Sequence, residues 1–218
     1  MMNWFWKDDL NRQMRVLYGT TNSAKLYSMR HAVEGLGLEV IGLKELGQPI
    51  PIVDESGRDP LVNAELKARA YYEAFHLPVF SCDSGLFFEE FEASEQPGTH
   101  VRRVNGRELT DEEMTAYYAG LARQHGGRLT GYYQNAICFV VDENHIFRSI
   151  DKSLSTEVFI MTDTPHPRKV KGFPMDRLSV DIKTGKYYYD LPDREVAQST
   201  FEGTRKFFEQ VLTGIDIL

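Results

Sequence analysis

The period of the hydrophobic pattern changes along this chain, and that change limits the fold more than any single motif. In the first part, short apolar runs alternate with stretches of helical period. From Arg128 to Ile160 the pattern becomes β: TGYYQNAICFVV, a turn at Asp142–Asn144, HIFRSI, then LSTEVFIM. Strands alternating with helices predict parallel pairing through crossovers, and strands joined by short turns predict consecutive antiparallel neighbours. The expected class is α/β (mixed α+β): a mixed sheet with helices, α/β at its start, antiparallel in its middle and helical at its end.

The elements follow from local signals. A first strand is predicted at Arg15–Tyr18, then a helix with Leu26, Met29, Val33 and Leu36 at helical spacing, ended by Gly35 and Gly37. Leu38–Leu43 reads as a second strand and Gln48–Gly57 as a loop. Asp59 is a natural N-cap with Pro60 at the first helical position. That helix is expected to bury the stripe Val62, Leu66, Ala70 and Ala74, with Asn63 and Lys67 one turn apart on an adjacent face. Leu77–Ser81 is a short strand ending in CDSG, and Phe87–Phe91 continues extended. Thr110 and Glu113 form a capping box ahead of Met114, Tyr117, Tyr118 and Leu121, and Gly126-Gly127 stops that helix. TDTPHPRKVKGFP is a loop, Leu178–Ile182 a strand, and a last helix runs from about Asp193 with Val196, Phe208, Val211 and Leu212 toward the core. With no repeat, low-complexity tract or linker, residues 15–218 are expected to form one domain after an extension, 1–14, that carries Trp4-Phe5-Trp6.

Composition matters mainly for what binds. At 218 residues, 42% hydrophobic and 26% charged, the chain is long enough for a sizeable core. Its net charge of −7 gives no electrostatic support for nucleic-acid or membrane-surface binding. An anionic ligand would need a few placed cations. No apolar run approaches the roughly 18–20 residues that span a bilayer. Cys82 and Cys138 are too few for a disulfide scaffold and suit a reducing, cytoplasmic setting. Six scattered histidines show no metal-ligand spacing, so no zinc site is expected.

Four segments can carry chemistry, and each has a plain structural alternative. In TTNSAK, Thr20, Thr21 and Asn22 line a strand-to-helix break where backbone N–H groups and a helix dipole favour an anion, with Lys25 as a point charge; the alternative is a capped helix with a solvated lysine. It is neither a Walker A loop nor G-x-G-x-x-G. In DESGRDPLVNAELKARA, Glu55, Asn63 and Lys67 are either a site or a wet face. In LPVFSCDSGLFFEEF, Asp83 follows a strand, where open α/β sheets bind ligands; it would hold Mg²⁺ or take a proton from water, or else close an Asx-turn. In QPGTHVRRVNG, Arg102 and Arg103 follow a Pro-Gly turn and either pair with phosphate or face solvent. Cys82 lacks a histidine partner and reads as a small buried thiol. Tyr187-Tyr188-Tyr189 reads as strand and core.

Taken in order, TTNSAK, E-S-G-x-x-x-x-x-N-A-x-x-K-A-R-A, LPVFSCDSGL and PGTHVRR resemble the inosine triphosphate pyrophosphatase family, in register from about Arg15 to Gly106. The resemblance implies an elongated mixed β-sheet flanked by helices, two lobes around a central cleft, a homodimer, and Mg²⁺-dependent cleavage of a nucleoside triphosphate to monophosphate and pyrophosphate. It implies that Thr20, Thr21, Asn22 and Lys25 hold phosphates and that Glu55 holds the metal. Asn63 and Lys67 would support both. Asp83 would bind Mg²⁺ or act as base, with Ser84 beside it, and Arg103 matches the family arginine after Pro-Gly.

The departures are concentrated downstream. Cys82 replaces the first acid of the family's D-D-S-G, and Ser28 stands where an acid follows the first lysine. Asp59-Pro60-Leu61-Val62 replaces T-F-x-E. G-F-G-Y-D-P-x-F survives as GFPMDRLS, keeping Gly172, Phe173 and Asp176. The late lysine falls near Val196. The S-H-R that reads the purine base falls at Thr200–Gly203 with neither His nor Arg. The expectation is a pyrophosphatase with altered or relaxed base preference, Phe173 and Tyr187–Tyr189 being candidates for base stacking. Its rivals are an enzyme for another phosphorylated ligand and a nucleotide-binding protein without turnover.

Overall fold

The computed structural model describes residues 13–192 and 198–215, opening with β1 (Met14–Tyr18), α1 (Ser23–Ala32), β2 (Leu38–Gly42), α2 (Pro60–Phe75) and β3 (Val79–Phe88). β1 pairs in parallel with β2 on one side and β3 on the other, with Val16 opposite Val40 and Leu17 opposite Val79. Alternate residues of β1 face opposite sides of the sheet. Val16 and Tyr18 pack with Met29 and Val33 of the α1 region, and Leu17 packs with Ala64, Ala68 and Tyr71 of α2. The two crossover helices therefore cover opposite faces. The carboxyl ends of β1 and β3 form the switch point where open sheets bind ligands.

The chain continues with the hairpin β4 (Arg103–Val104) and β5 (Arg107–Glu108), α3 (Asp111–Gln124), β6 (Arg128–Val140), β7 (Ile146–Ser149), β8 (Phe159–Thr162), β9 (Ser179–Asp181) and α4 (Gln198–Ile215). Asn105 and Gly106 turn the β4–β5 hairpin at φ 50° and 75°, as a two-residue loop requires. The large sheet has the order β2-β1-β3-β6-β8-β9, with β7 also on β6. β3 and β6 are antiparallel over their whole paired length, from Val79 opposite Val140 to Phe88 opposite Gly131. At one end of this pair Phe80 and Phe139 join α1 and α4 in one core. At the other, Leu86, Phe88 and Leu129 join Met114 and Tyr118 of α3 in another. No helix among the described residues is long and apolar enough to cross a membrane.

The mixed sheet, the Asp59 cap with Pro60, and the Thr110–Glu113 capping box are as the sequence predicts. Several details differ. β7 and β8 do not pair with each other: β7 takes Ile137–Val140 and β8 takes Arg128–Gly131 of the same edge of β6. β6 is simply long enough to serve two partners. β3 does not end at CDSG but runs through it to Phe88, because β6 supplies ladder partners along that stretch. α2 is rotated from expectation. Its buried face is Asn63, Ala64, Lys67, Ala68 and Tyr71, while Val62 and Leu66 are 49% and 45% exposed. Two alanines let the helix lie close to the sheet, and burial of Asn63 and Lys67 is tolerable because the Asn63 amide nitrogen and the Lys67 ammonium find partners. Tyr117 likewise stays 38% exposed while Tyr118 is fully buried. Tyr188–Asp190 forms a 3₁₀ turn rather than a strand. Asp193 and Val196 lie outside the described residues.

Candidate active site

β1 stops at Tyr18, opposite Phe80, and β3 runs on past it with β6 as its partner. Gly19 N donates to Phe80 O at 2.8 Å and lies so close to β3 that a Cβ there would stand 2.0 Å from Ser81 Oγ, which accounts for glycine at the turn. Thr20 is half-buried and Thr21 exposed beyond it. Thr20 Oγ1 accepts from Asn22 N, and Asn22 Oδ1 accepts from Lys25 N at 3.2 Å, capping α1. The first turn of α1 carries no acid, so its positive end is uncompensated there.

Successive side chains of β3 point to opposite faces beyond this turn. Asp83 faces α2. Its Oδ2 accepts from Asn63 Nδ2 at 2.9 Å and its Oδ1 from Lys67 Nζ at 3.3 Å. Lys67 also donates to Glu55 Oε2 at 2.9 Å and to Cys82 O at 3.1 Å, with its side chain only 8% exposed. Burial alone would lower the Lys67 pKa, but the charges of Asp83 and Glu55 outweigh it and hold the ammonium above its ordinary value. Asn63 Nδ2 donates in addition to Gly57 O, while its buried Oδ1 has no partner among the described residues and abuts Gly57, where a Cβ would lie 2.5 Å away.

The Pro-Gly segment docks onto the same edge. Leu86 and Gly98 exchange two backbone hydrogen bonds of 2.8 and 3.0 Å. Thr99 Oγ1 donates to Gly57 O at 2.6 Å, and the His100 ring contacts Ser56 O at 3.1 Å. The structure thus joins Glu55, Asn63, Lys67, Asp83 and the Pro-Gly turn into one connected group. The two arginines separate: Arg102 donates to Leu109 O and Asp111, whereas Arg103 is exposed and makes no ion pair among the described residues.

On the α1 face, a cavity of about 250 Å³ is lined by Lys25, Ser84, Cys82 and Tyr18 at one end and by Met29, Ile137, Leu154, Phe173 and Phe201 elsewhere. Asn135 and Thr204 also reach it. Burial pushes the Cys82 thiol up to about 11, so it remains protonated at neutral pH and is no substitute for an acid. Gly203 stands within the stretch aligned with the missing base-reading motif; a Cβ there would fall 1.9 Å from Ser153 O, so α4 and the 152–154 turn touch backbone to backbone. Asp176 is half-buried and unpaired among the described residues, and burial pushes its carboxyl up to about 6.

Of the residues singled out from sequence, two sets emerge: Glu55, Asn63, Lys67 and Asp83 on one face of β3, and Lys25, Ser84 and Phe173 on the other. Thr20, Thr21 and Asn22 lie at the strand end between them. Arg103 and Asp176 join neither set through a direct contact. Sequence reasoning passed over Thr99, Asn135 and Phe201, which have no distinguishing local pattern. Glu55 and Asp83 offer hard carboxylate oxygens, but no cluster of three or more His, Cys, Asp or Glu suited to a metal occurs among the described residues. Mg²⁺ characteristically takes one or two carboxylates and completes its shell with water and substrate phosphates.

The profile of the Ham1 family matches residues 16–176. The chain belongs to the Ham1 family. A dITP/XTP pyrophosphatase of Rhodopseudomonas palustris is 30% identical over 166 residues, covering 74% of each chain. One of Symbiobacterium thermophilum is 31% identical over 171 residues, covering 77% of this chain and 79% of the relative. One of Anaeromyxobacter dehalogenans is 39% identical over 90 residues, a stretch that is 41% of this chain and only 37% of the relative's length. The fold agrees: a HAM1 protein from Coxiella burnetii superposes with a TM-score of 0.69 at 22% identity, over 94% of this chain and 100% of that one. The Staphylococcus aureus Ham1 protein gives 0.68 at 20%, over 93% and 99%.

Proposed function

We propose that this Ham1-family chain is a hydrolase that cleaves nucleoside triphosphates, non-canonical purine nucleotides among them, to the monophosphate and pyrophosphate. The observation that carries this reading is the Glu55–Lys67–Asp83 group at the switch point, held by Asn63, with Lys25 in the first turn of α1. Asp83 accepts the proton of the attacking water; the new P–O bond forms as the phosphoanhydride bond breaks and pyrophosphate departs. Lys67 holds Asp83 in place through the 3.3 Å contact. Lys25, and Arg103 from its exposed hairpin, carry phosphate charge. Glu55 and Asp83 would hold Mg²⁺, which supplies charge neutralisation and Lewis acidity when bound. The named activity of the relatives supports the same chemistry.

Base preference is the part most open to change in this chain. Phe173 and Phe201 line the cavity, and among the described residues its lining includes no arginine or histidine to read a base edge. Stacking tolerates any base, so a relaxed preference follows. A homodimer and a cytoplasmic setting complete the reading: Val62, Leu66 and Ile52 are exposed apolar side chains on and before α2, and both cysteines are free thiols.

The test is pyrophosphate release with Mg²⁺ from inosine, xanthosine and standard triphosphates, ribo and deoxy, with Asp83→Asn as control. Release from several bases that vanishes in the control supports the reading. A sharp preference for one base removes the relaxed-specificity part. Tight Mg²⁺-dependent binding without release favours a nucleotide-binding protein, the outcome to which the Cys82 substitution points.

A further inference from the structure

We propose that Asp111 is a positioning residue for the nucleotide pocket: its carboxylate ties the loop that carries Phe173 to the segment that carries Arg103. The inference rests on the α1-face cavity being the nucleotide pocket. Asp111 opens α3. Its Oδ2 accepts from Gly172 N at 2.8 Å and its Oδ1 from Arg102 Nη2 at 2.8 Å. One side chain therefore touches the residue before Phe173 and the residue before Arg103.

The tie to Gly172 is the shortest of the bonds at this point: Phe173 N donates to Val170 O at 3.1 Å within the loop, and Thr115 Oγ1 of α3 donates to Pro174 O at 3.3 Å. Gly172 sits at φ +86° and has no side chain to anchor it. Phe173, 40% exposed, projects into the cavity wall directly after it. The neighbouring fasteners are weaker. Lys169 and Glu112 pair at 2.7 Å with both side chains largely in water, and the Tyr189 hydroxyl reaches Phe173 O only at 3.4 Å. The Arg102 end is firmer. Its guanidinium also donates to Leu109 O, and Leu109 N donates back to Arg102 O at 2.8 Å, closing the base of the hairpin. At its other end the segment grips Gly57 through Thr99. The path from the Glu55 loop through Thr99, Arg102 and Asp111 to Phe173 is thus continuous. The Asp111 carboxyl is held below its ordinary pKa by the Gly172 N–H first and Arg102 second, so both bonds are to the ionised form.

The test is a double-mutant cycle on the full chain. Asp111→Ala and Phe173→Ala are each expected to raise KM for a nucleoside triphosphate about tenfold, with kcat within about threefold of wild type. The double variant should match Phe173→Ala alone, because Asp111 acts through Phe173. Asp111→Asn retains one acceptor and should fall between. Multiplicative effects in the cycle, or a loss of kcat and thermal stability at constant KM, overturn the proposal. If the wild type releases no pyrophosphate, the hydrolase reading fails, and the same cycle is read on the Kd of a non-hydrolysable triphosphate by calorimetry. Failure to bind as well overturns both.

Discussion

Lys67 Nζ stands 3.3 Å from Asp83 Oδ1, an ammonium on a helix that has turned inward to meet a carboxylate in the middle of a strand. The pair is buried, and Glu55 closes it from a loop at 2.9 Å. Removing the cation leaves two acids facing each other. Lys67→Ala is therefore expected to cost about 3 kcal/mol, the low end for a broken buried pair because Glu55 is half in water. Urea unfolding checks it. Asp83→Asn keeps the shape and leaves Lys67 paired to Glu55. It should lower kcat at least roughly 100-fold with a much smaller loss of stability.

Glu55 is the acid with room to accept another ligand, its side chain being 46% exposed. Glu55→Gln retains an oxygen for Lys67 but loses the charge. The Mg²⁺ concentration for half-maximal activity should rise roughly tenfold, while saturating metal restores most of the rate. A metal titration at fixed nucleotide reads this directly; an unchanged midpoint would remove Glu55 from the metal site.

Gly203 is a packing contact rather than a turn. Because the atom it would meet is the Ser153 carbonyl, neither side can yield by rotating a side chain. Gly203→Ala should destabilise by about 2–3 kcal/mol and disturb the cavity wall at Leu154. Gly120 in α3 has open space around it, so Gly120→Ala should stabilise by up to about 1 kcal/mol. Thermal unfolding of the two variants should move in opposite directions.

Asp176 gives a pH signature. Burial raises its carboxyl from an ordinary 3.8 to about 6. Between those values the folded chain binds more protons than the unfolded one, so this group's contribution to stability falls as pH rises through that window. Above pH 6 the buried charge costs at most about 3 kcal/mol. Asp176→Asn should therefore raise the melting temperature at pH 8 and leave it nearly unchanged at pH 4. Equal shifts at both values would mean the carboxyl is not what sets the difference.

Caps and strand-forming runs were legible because they depend on neighbours in the chain. Asp59 bonds Leu61 N two residues on, and Thr110 and Glu113 satisfy each other three apart. The length of β3 was not legible, since Asp-Ser-Gly favours a turn in isolation and only the distant β6 overrides it. The face of α2 was misread for a related reason. Val62 and Leu66 look like core until Lys67 is known to have two carboxylates waiting. The acids and cations of the site could be placed from the order of the motifs. Phe201 and Thr99 could not, because an aromatic in a helix and a threonine in a loop carry no local mark of what lies across from them.

The core that seals β1 and β2 contains Phe207, Phe208 and Val211 of α4, packed against Val16, Val40 and Phe80. The half of the sheet that is made first is thus finished last. During synthesis, β1, α1 and β2 emerge with the α1 face only partly covered, and it stays so until α4 has left the ribosome. A chain cut before Gln198 would keep Glu55, Lys67 and Asp83 yet lack the helix that carries Phe201 and completes this core, which makes the C-terminal helix a condition for assembling a site whose charged residues all lie far upstream.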